Sequence, residues 1–218
     1  MPKNRKGKNV KRFYSFGRVK RGPAPIATLT TTKYRKALPE LRRDFEDRCA
    51  YCMRHIGTST EMEVDHFDPR RKKDRIQVYS NLFLSDGHCN GAKSDKWPTA
   101  EDEECGCRFL NCCNEQDYNK VIFEDPETHE LVGTTPAAIY HIETIDLNDP
   151  DLIAERKHRY DSLLKLKGLI GNRSSDPNIA SMESDIAEIV RDMIPPIDPP
   201  PVKMYYYDES VGIVQSTK

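Results

Sequence analysis

The sequence predicts an α+β protein in which a small strand-loop-strand-helix unit is embedded in a mainly helical domain. Three features lead there. Met62 and Val64 alternate with charged residues, and Asn81-Leu82-Phe83-Leu84 is a second short apolar run, so two strands flank the polar loop 67–80. Gly87 to Lys96 follows with small residues and cations at helical spacing and stops before Pro98. Farther on, Leu152, Ile153, Tyr160, Leu163 and Leu164 after Asp149-Pro150, and Ile179, Met182, Ile186, Ile189, Val190 and Met193 after Asp176-Pro177, recur every three or four residues, as core-packed helices require.

The remaining elements follow in order. Leu41 and Phe45, with Pro39 at a first helical position, predict a short helix over 38–48 leading into Cys49. The helix that starts at Pro150 should end at Gly168. The proline run Pro195 to Pro201 ends the folded part, and Tyr205-Tyr206-Tyr207 beyond it reads either as a docking strand or as a loose tail. No internal repeat is found. At 218 residues with 37% hydrophobic and 32% charged content, the chain has material for one sizeable domain. It contains no apolar run near the ~18 residues of a membrane helix, and its lysine-rich start lacks the apolar segment of a secretory signal. A cytoplasmic location without membrane contact is the expectation, and there the seven cysteines should stay reduced, free for burial or metal ligation.

A net charge of −1 conceals an asymmetry. Residues 1–36 hold twelve Lys and Arg and no acidic residue, leaving 22 basic against 35 acidic residues in 37–218, a balance of −13. With Phe13, Tyr14 and Phe16 among the cations and several Gly and Pro, the segment reads as an extended basic N-terminal arm, able to follow a phosphate backbone or simply to be a solvated tail. The acidic remainder is a poorer surface for nucleic acid and a plausible one for a protein partner.

Cys49-Ala50-Tyr51-Cys52 is a C-x2-C knuckle, a turn that aims two thiolates at one tetrahedral zinc. Cys89 supplies a third thiol. The fourth ligand stays open between Asp86, His88 and a thiol of the group Cys105, Cys107, Cys112 and Cys113. That group lacks knuckle spacing and reads as buried or free thiols rather than a second metal site.

Between the knuckle and Cys89 lies EMEVDHFDPRR (61–71), with Asp65 and His66 at the end of the first strand. Asn81 follows fifteen residues after His66, and Asn90 nine after Asn81, inside Cys89-Asn90-Gly91-Ala92-Lys93. In this register the chain resembles the HNH endonucleases of the ββα-metal (His-Me finger) type, whose signature is a Cys knuckle, an Asp-His pair ending a strand, a central Asn, and a terminal His or Asn opening a helix. The segments RFLNCCNEQDY and IFEDPETHELVGTTPAAIYHIETIDLNDPDLIAERKHR are similar, more loosely, to bacterial HNH proteins found with retrons and with Septu-type ATPase–nuclease anti-phage defence systems. Asp86 stands where that family places a zinc cysteine.

The resemblance implies a metal-dependent endonuclease, with a non-catalytic zinc-containing nucleic-acid-binding module as the alternative. Phosphodiester hydrolysis needs a base for water and a divalent cation beside the phosphate. His66, titrating near neutrality, suits the base. Asp65 and Asn90 offer hard oxygens for catalytic Mg2+ or Mn2+. Asn81 is expected to tie the loop and orient His66. Lys93 is expected either to meet a phosphate or to be a solvated helix cation. Zinc is expected to be structural, stapling a motif too small to hold itself. The implied organisation is the arm 1–36, a nuclease domain over 37–194 with its core motif at 49–97 and a helical remainder at 136–194, and a Pro/Tyr-rich tail over 195–218. The implied partners are DNA, with RNA or tRNA as the alternative, and an ATPase.

Overall fold

The computed structural model describes residues 11–15, 19–57, 61–113, 118–171, 205–208 and 212–215. In chain order the strands are β1 (Lys11–Ser15), β2 (Met62–His66), β3 (Leu82–Asp86), β4 (Ile122–Glu124), β5 (Leu131–Gly133), β6 (Tyr205–Asp208) and β7 (Gly212–Gln215). The helices are α1 (Leu38–Asp44), α2 (Gly87–Lys93), α3 (Ala100–Glu104), α4 (Tyr118–Val121), α5 (Pro136–Ile145) and α6 (Pro150–Gly171). The fold is α+β, and its strands form two antiparallel sheets: the hairpin β2-β3, and a five-stranded sheet in the order β5-β4-β1-β6-β7. The helix foreseen over 177–193 lies outside the described residues.

The hairpin contributes β3 to the core of the described residues. Its register sets Asp65 opposite Phe83 and His66 opposite Leu82. All five residues of β3 are buried, so this strand is covered on both faces. Leu41 and Phe45 of the α1 region join Leu82, Phe83, Leu84, Tyr51, Ala138 and Ile142 in one core. Each large apolar side chain removed from water there contributes about 1.5–3 kcal/mol.

Local chemistry sets the helix ends. α1 has Pro39 in its first turn and stops where Glu46 and Asp47 take positive φ. Thr135 caps α5 by accepting from Ala138 N at 3.2 Å, and Asp146 ends it in the left-handed conformation. Gly133 lets β5 lie directly on α5, since a Cβ there would sit 2.7 Å from Ile139 N. α6 sends Arg156 inward, where its guanidinium donates to His129 O, Leu147 O and Asn148 Oδ1, so the buried cation is satisfied by carbonyls.

Within the basic stretch 1–36, the described residues 11–15 and 19–36 are tied to the rest of the chain. Lys11–Ser15 pair with β4 on one side and with β6, the Tyr205 strand, on the other. Val19 N donates to Cys112 O at 2.9 Å, and Val19 and Leu29 are buried. Arg21 stacks its guanidinium among Phe45, Tyr79 and Phe83 with centroid distances of 5.1, 5.0 and 4.9 Å, and donates to Tyr79 O and Leu82 O. A cation that reads as surface charge in the sequence is here half-buried against the core, because its planar group stacks on rings while its N–H groups satisfy carbonyls.

Candidate active site and thiol cluster

β2, β3 and α2 form a ββα unit whose outer side opens into a cavity of about 320 Å³. Asp65, His66 and Asn90 line it, with Glu63, Lys72 and Arg35 beside them. Side chains alternate along a strand, so the neighbours Asp65 and His66 meet different partners.

Asp65 is 2% exposed. Its Oδ2 accepts from Tyr51 Oη at 2.5 Å, and Lys93 Nζ lies 3.0 Å from Oδ2 and 3.2 Å from Oδ1. Lys93 also donates to the carbonyl of His66 at 2.9 Å. Lys93 is therefore neither a solvated cation nor a phosphate ligand at the surface: it is fully buried, and its ammonium compensates the buried carboxylate while holding the end of β2. Burial lowers the Lys93 pKa, and Asp65 opposes that shift.

His66 is oriented by Gln77, which sequence reasoning missed. Gln77 Nε2 donates to the carbonyls of Lys72 and Asp74, and carbonyls can only accept, so Gln77 Oε1 faces His66 Nε2 at 2.8 Å. The imidazole must supply the proton of that bond, which leaves the lone pair of the neutral ring on Nδ1. Tyr34 packs on the ring with centroids 4.7 Å apart. Burial pushes the His66 pKa below its usual value, and the Gln77 bond works against it.

Asn90 Nδ2 donates to Glu63 Oε2. Since the carboxylate can only accept, this fixes the amide orientation and leaves Asn90 Oδ1 as the acceptor free for a ligand. Asn81 Oδ1 accepts from Asp68 N at 2.8 Å and its Nδ2 donates to Asp68 O at 3.1 Å, clamping the start of loop 67–80 to β3. Asn81 thus ties the loop, while the ring of His66 is held by Gln77. Period-two alternation was the available signal for Glu63, two residues before Asp65. Nothing local marked Gln77 or Tyr34.

Behind the hairpin, Cys49, Cys52 and Cys89 are buried with their Sγ atoms all within 4.8 Å of one another. The knuckle turn is closed by Met53 N to Cys49 O at 3.1 Å and Cys49 N to Arg54 O at 2.9 Å, with Met53 at positive φ. Burial opposes ionisation of Cys49, but hydrogen bonds from Cys52, Cys89 and the Asp86 and Cys52 backbone outweigh it and hold its thiol well below the usual range. Cys52, by burial and by Cys49, and Cys89, by Cys49 and Cys52, are pushed up. Three buried sulfur atoms converging within 4.8 Å are a soft donor set that fits zinc.

Neither residue foreseen as the fourth ligand belongs to that cluster. The Asp86 carboxylate caps α2 by accepting from His88 N at 2.9 Å and faces Arg54 at 3.6 Å. His88 turns away, its Nε2 3.4 Å from Asp146 O, and groups with Asp146 and Asp149. Both are drawn off by partners that the open knuckle pattern does not reveal. Cys112 and Cys113 lie side by side with Sγ atoms 4.0 Å apart, Cys105 is exposed, and no second thiol cluster forms among the described residues.

Residues 49–96 match the family model for the HNH endonuclease, a span that runs from the knuckle through β2 and β3 to just past α2. This segment is therefore similar to the HNH endonuclease domain, which suggests nuclease activity on nucleic acid. Neither a curated protein nor a solved structure matches the chain. None of the described helices is long and apolar enough to cross a membrane.

Proposed function

We propose that this protein is a metal-dependent endonuclease that hydrolyses phosphodiester bonds of DNA. The observation that carries the reading is the convergence, on one cavity inside the HNH segment, of an oriented imidazole and two oxygen donors: His66, Asp65 and Asn90. His66 Nδ1 accepts the proton of the attacking water, because Gln77 has committed Nε2 to donating. Asp65 and Asn90 would hold Mg2+ or Mn2+. The fit is chemical: Asn90 Oδ1 is kept as an acceptor by Glu63, and the Asp65 carboxylate retains accepting capacity beyond its bonds to Tyr51 and Lys93. When bound, that cation neutralises charge on the phosphate and the leaving oxygen. Lys93 and Tyr51 hold Asp65 in place, and Asn81 keeps the loop closed beside His66.

Zinc on Cys49, Cys52 and Cys89 is proposed as the structural staple of the unit, with the fourth position supplied from outside the trio. The looser likeness along 108–118 and 122–159 to nucleases of ATPase-linked defence systems supports a role as the effector of anti-phage defence in the cytoplasm, acting with an ATPase partner.

Cleavage of plasmid, single-stranded DNA and tRNA by the full chain, with and without added Mg2+, tests the reading. Mg2+-dependent DNA cleavage that disappears in folded His66→Ala is the expected result. Cleavage undiminished in that variant would refute it, and tRNA cut in preference to DNA would replace the substrate.

A further inference from the structure

The rim of the cavity is built from two stretches far apart in sequence. The bridge Thr30↔Ile76, with Gln77 N donating to Leu29 O at 2.9 Å, lays the end of the basic N-terminal stretch along loop 69–75. Residues 30–36 hold three cations and no acid, and residues 69–75 hold five cations and one acid. Arg35 from the first and Lys72 from the second line the cavity together. This rim is strongly basic on a body, residues 37–218, whose balance is −13.

Some of these cations are committed internally: Arg70 pairs with Asp68, Arg71 with Asp74 and Lys72 with Asp95. Lys33, Arg35, Lys36, Lys73 and Arg75 are exposed and hold no ion pair among the described residues. Directly after Arg75 in sequence, Ile76 at 62% and Val78 at 40% are exposed apolar side chains. Gln77, between those two in sequence, ties the loop backbone to the His66 ring.

We infer that this composite rim is a docking surface for duplex DNA, with Lys33, Lys36, Lys73 and Arg75 on the phosphates and Ile76 against a groove. Exposed cations on two segments supply the sequence-independent attraction of a polyanion. An apolar wedge among such cations suits a groove wall, a contact that a bare phosphate or an acidic peptide would leave unused. Loading the rim places a backbone phosphate beside the cavity, and the Gln77 bonds couple the loaded loop to the base. The inference deepens the nuclease reading and rests on it for the occupant.

The test measures binding of a fluorescent duplex by the full, zinc-loaded chain across a salt series in magnesium-free buffer, apart from any cleavage assay. The variant K33Q/K36Q/K73Q/R75Q, all at exposed positions, should keep the wild-type thermal midpoint and flatten the slope of log K against log salt by up to about 3.6, at roughly 0.9 per lost phosphate contact. Ile76→Ser should weaken duplex binding with the slope unchanged. A wild type that does not bind duplex, a quadruple variant with the wild-type slope, or a loss confined to single-stranded RNA would each overturn the inference. Steep, variant-sensitive duplex binding without cleavage would refute the nuclease reading and leave the docking surface standing.

Discussion

Gln77 Oε1 lies 2.8 Å from His66 Nε2, and that contact decides which ring nitrogen carries a lone pair. Its loss should therefore be kinetic. Gln77→Leu frees the ring and should cost a large part of the ~10²–10⁴-fold that a positioned base supplies. Gln77→Glu places a carboxylate on the same N–H and should raise the His66 pKa. Burial lowers that pKa in the native protein, and the base works only when neutral, so activity is full above it and lost as pH falls through it. The acid limb of the wild-type rate should have its midpoint below about 6.5, and Gln77→Glu should move it upward. A pH–rate series in which both proteins share one midpoint would remove Gln77 from this role.

Asp65 and Asn90 should fail in a different manner from His66. Asn90→Ala removes a ligand oxygen, so the magnesium concentration at half-maximal cleavage should rise, with saturating metal restoring part of the rate. Asp65→Ala adds a stability loss, since it strands the Lys93 ammonium. His66→Ala should lose rate at every metal concentration. A magnesium titration of the three variants separates these outcomes, and indistinguishable curves for Asn90→Ala and His66→Ala would contradict the division of labour.

The three buried thiols should hold about one zinc per chain. Cys52→Ser should release it and unfold the hairpin region, because binding free energy at such a site is folding free energy. Elemental analysis beside thermal melting checks both halves. Zinc retained at an unchanged midpoint in Cys52→Ser would mean that the trio is only packed sulfur.

Lys93→Met keeps the side-chain volume and removes the charge beside Asp65. With Tyr51 alone left on a carboxylate that is 2% exposed, the loss should be about 3–5 kcal/mol in urea unfolding. Adding Asp65→Asn should recover part of it, as no stranded charge then remains. A single variant as stable as the wild type would show that the ammonium contributes nothing net.

His141 sets a stability slope of its own. It is fully buried, its Nδ1 accepts from Leu110 N at 3.1 Å, and burial lowers its pKa to about 3. The unfolded chain takes up this proton from about pH 6.5 downward and the folded chain does not, so stability is full above that pH and falls as pH drops toward the folded value. His141→Gln has no such proton to take up. The stability advantage of the wild type over this variant should shrink by about 2 kcal/mol between pH 7 and pH 5, and a constant difference would show that His141 does not titrate in this way.

What could be read from the sequence follows from which signals are local. Asp65, His66, Asn81, Asn90 and the knuckle stand in one segment of the chain, and Met62 and Val64 before Asp65 alternate with charged residues. Gln77 sits in a polar loop where no period exists, and it reaches His66 only because Asn81 folds that loop back. Sequence rules send cations to water, so Arg21 reads as part of a basic arm and Lys93 as a phosphate contact or a solvated helix cation, yet each is held by partners 24 to 61 residues away. Asp86 looked like a metal ligand from its position alone, whereas capping α2 and facing Arg54 already occupy it.

The central place of β1 in the five-stranded sheet bears on how the chain acquires its shape. One edge of β1 pairs with β4, little more than a hundred residues later, and the other waits for β6, where Lys11 meets Tyr207. During vectorial synthesis the amino-terminal strand can find its first neighbour well before its second exists. In the interval it presents an open edge able to recruit a strand from another chain. Closure of so long a loop is slow, so the last folding phase should report the joining of β1 to β6, long after the hairpin that carries the chemistry has formed.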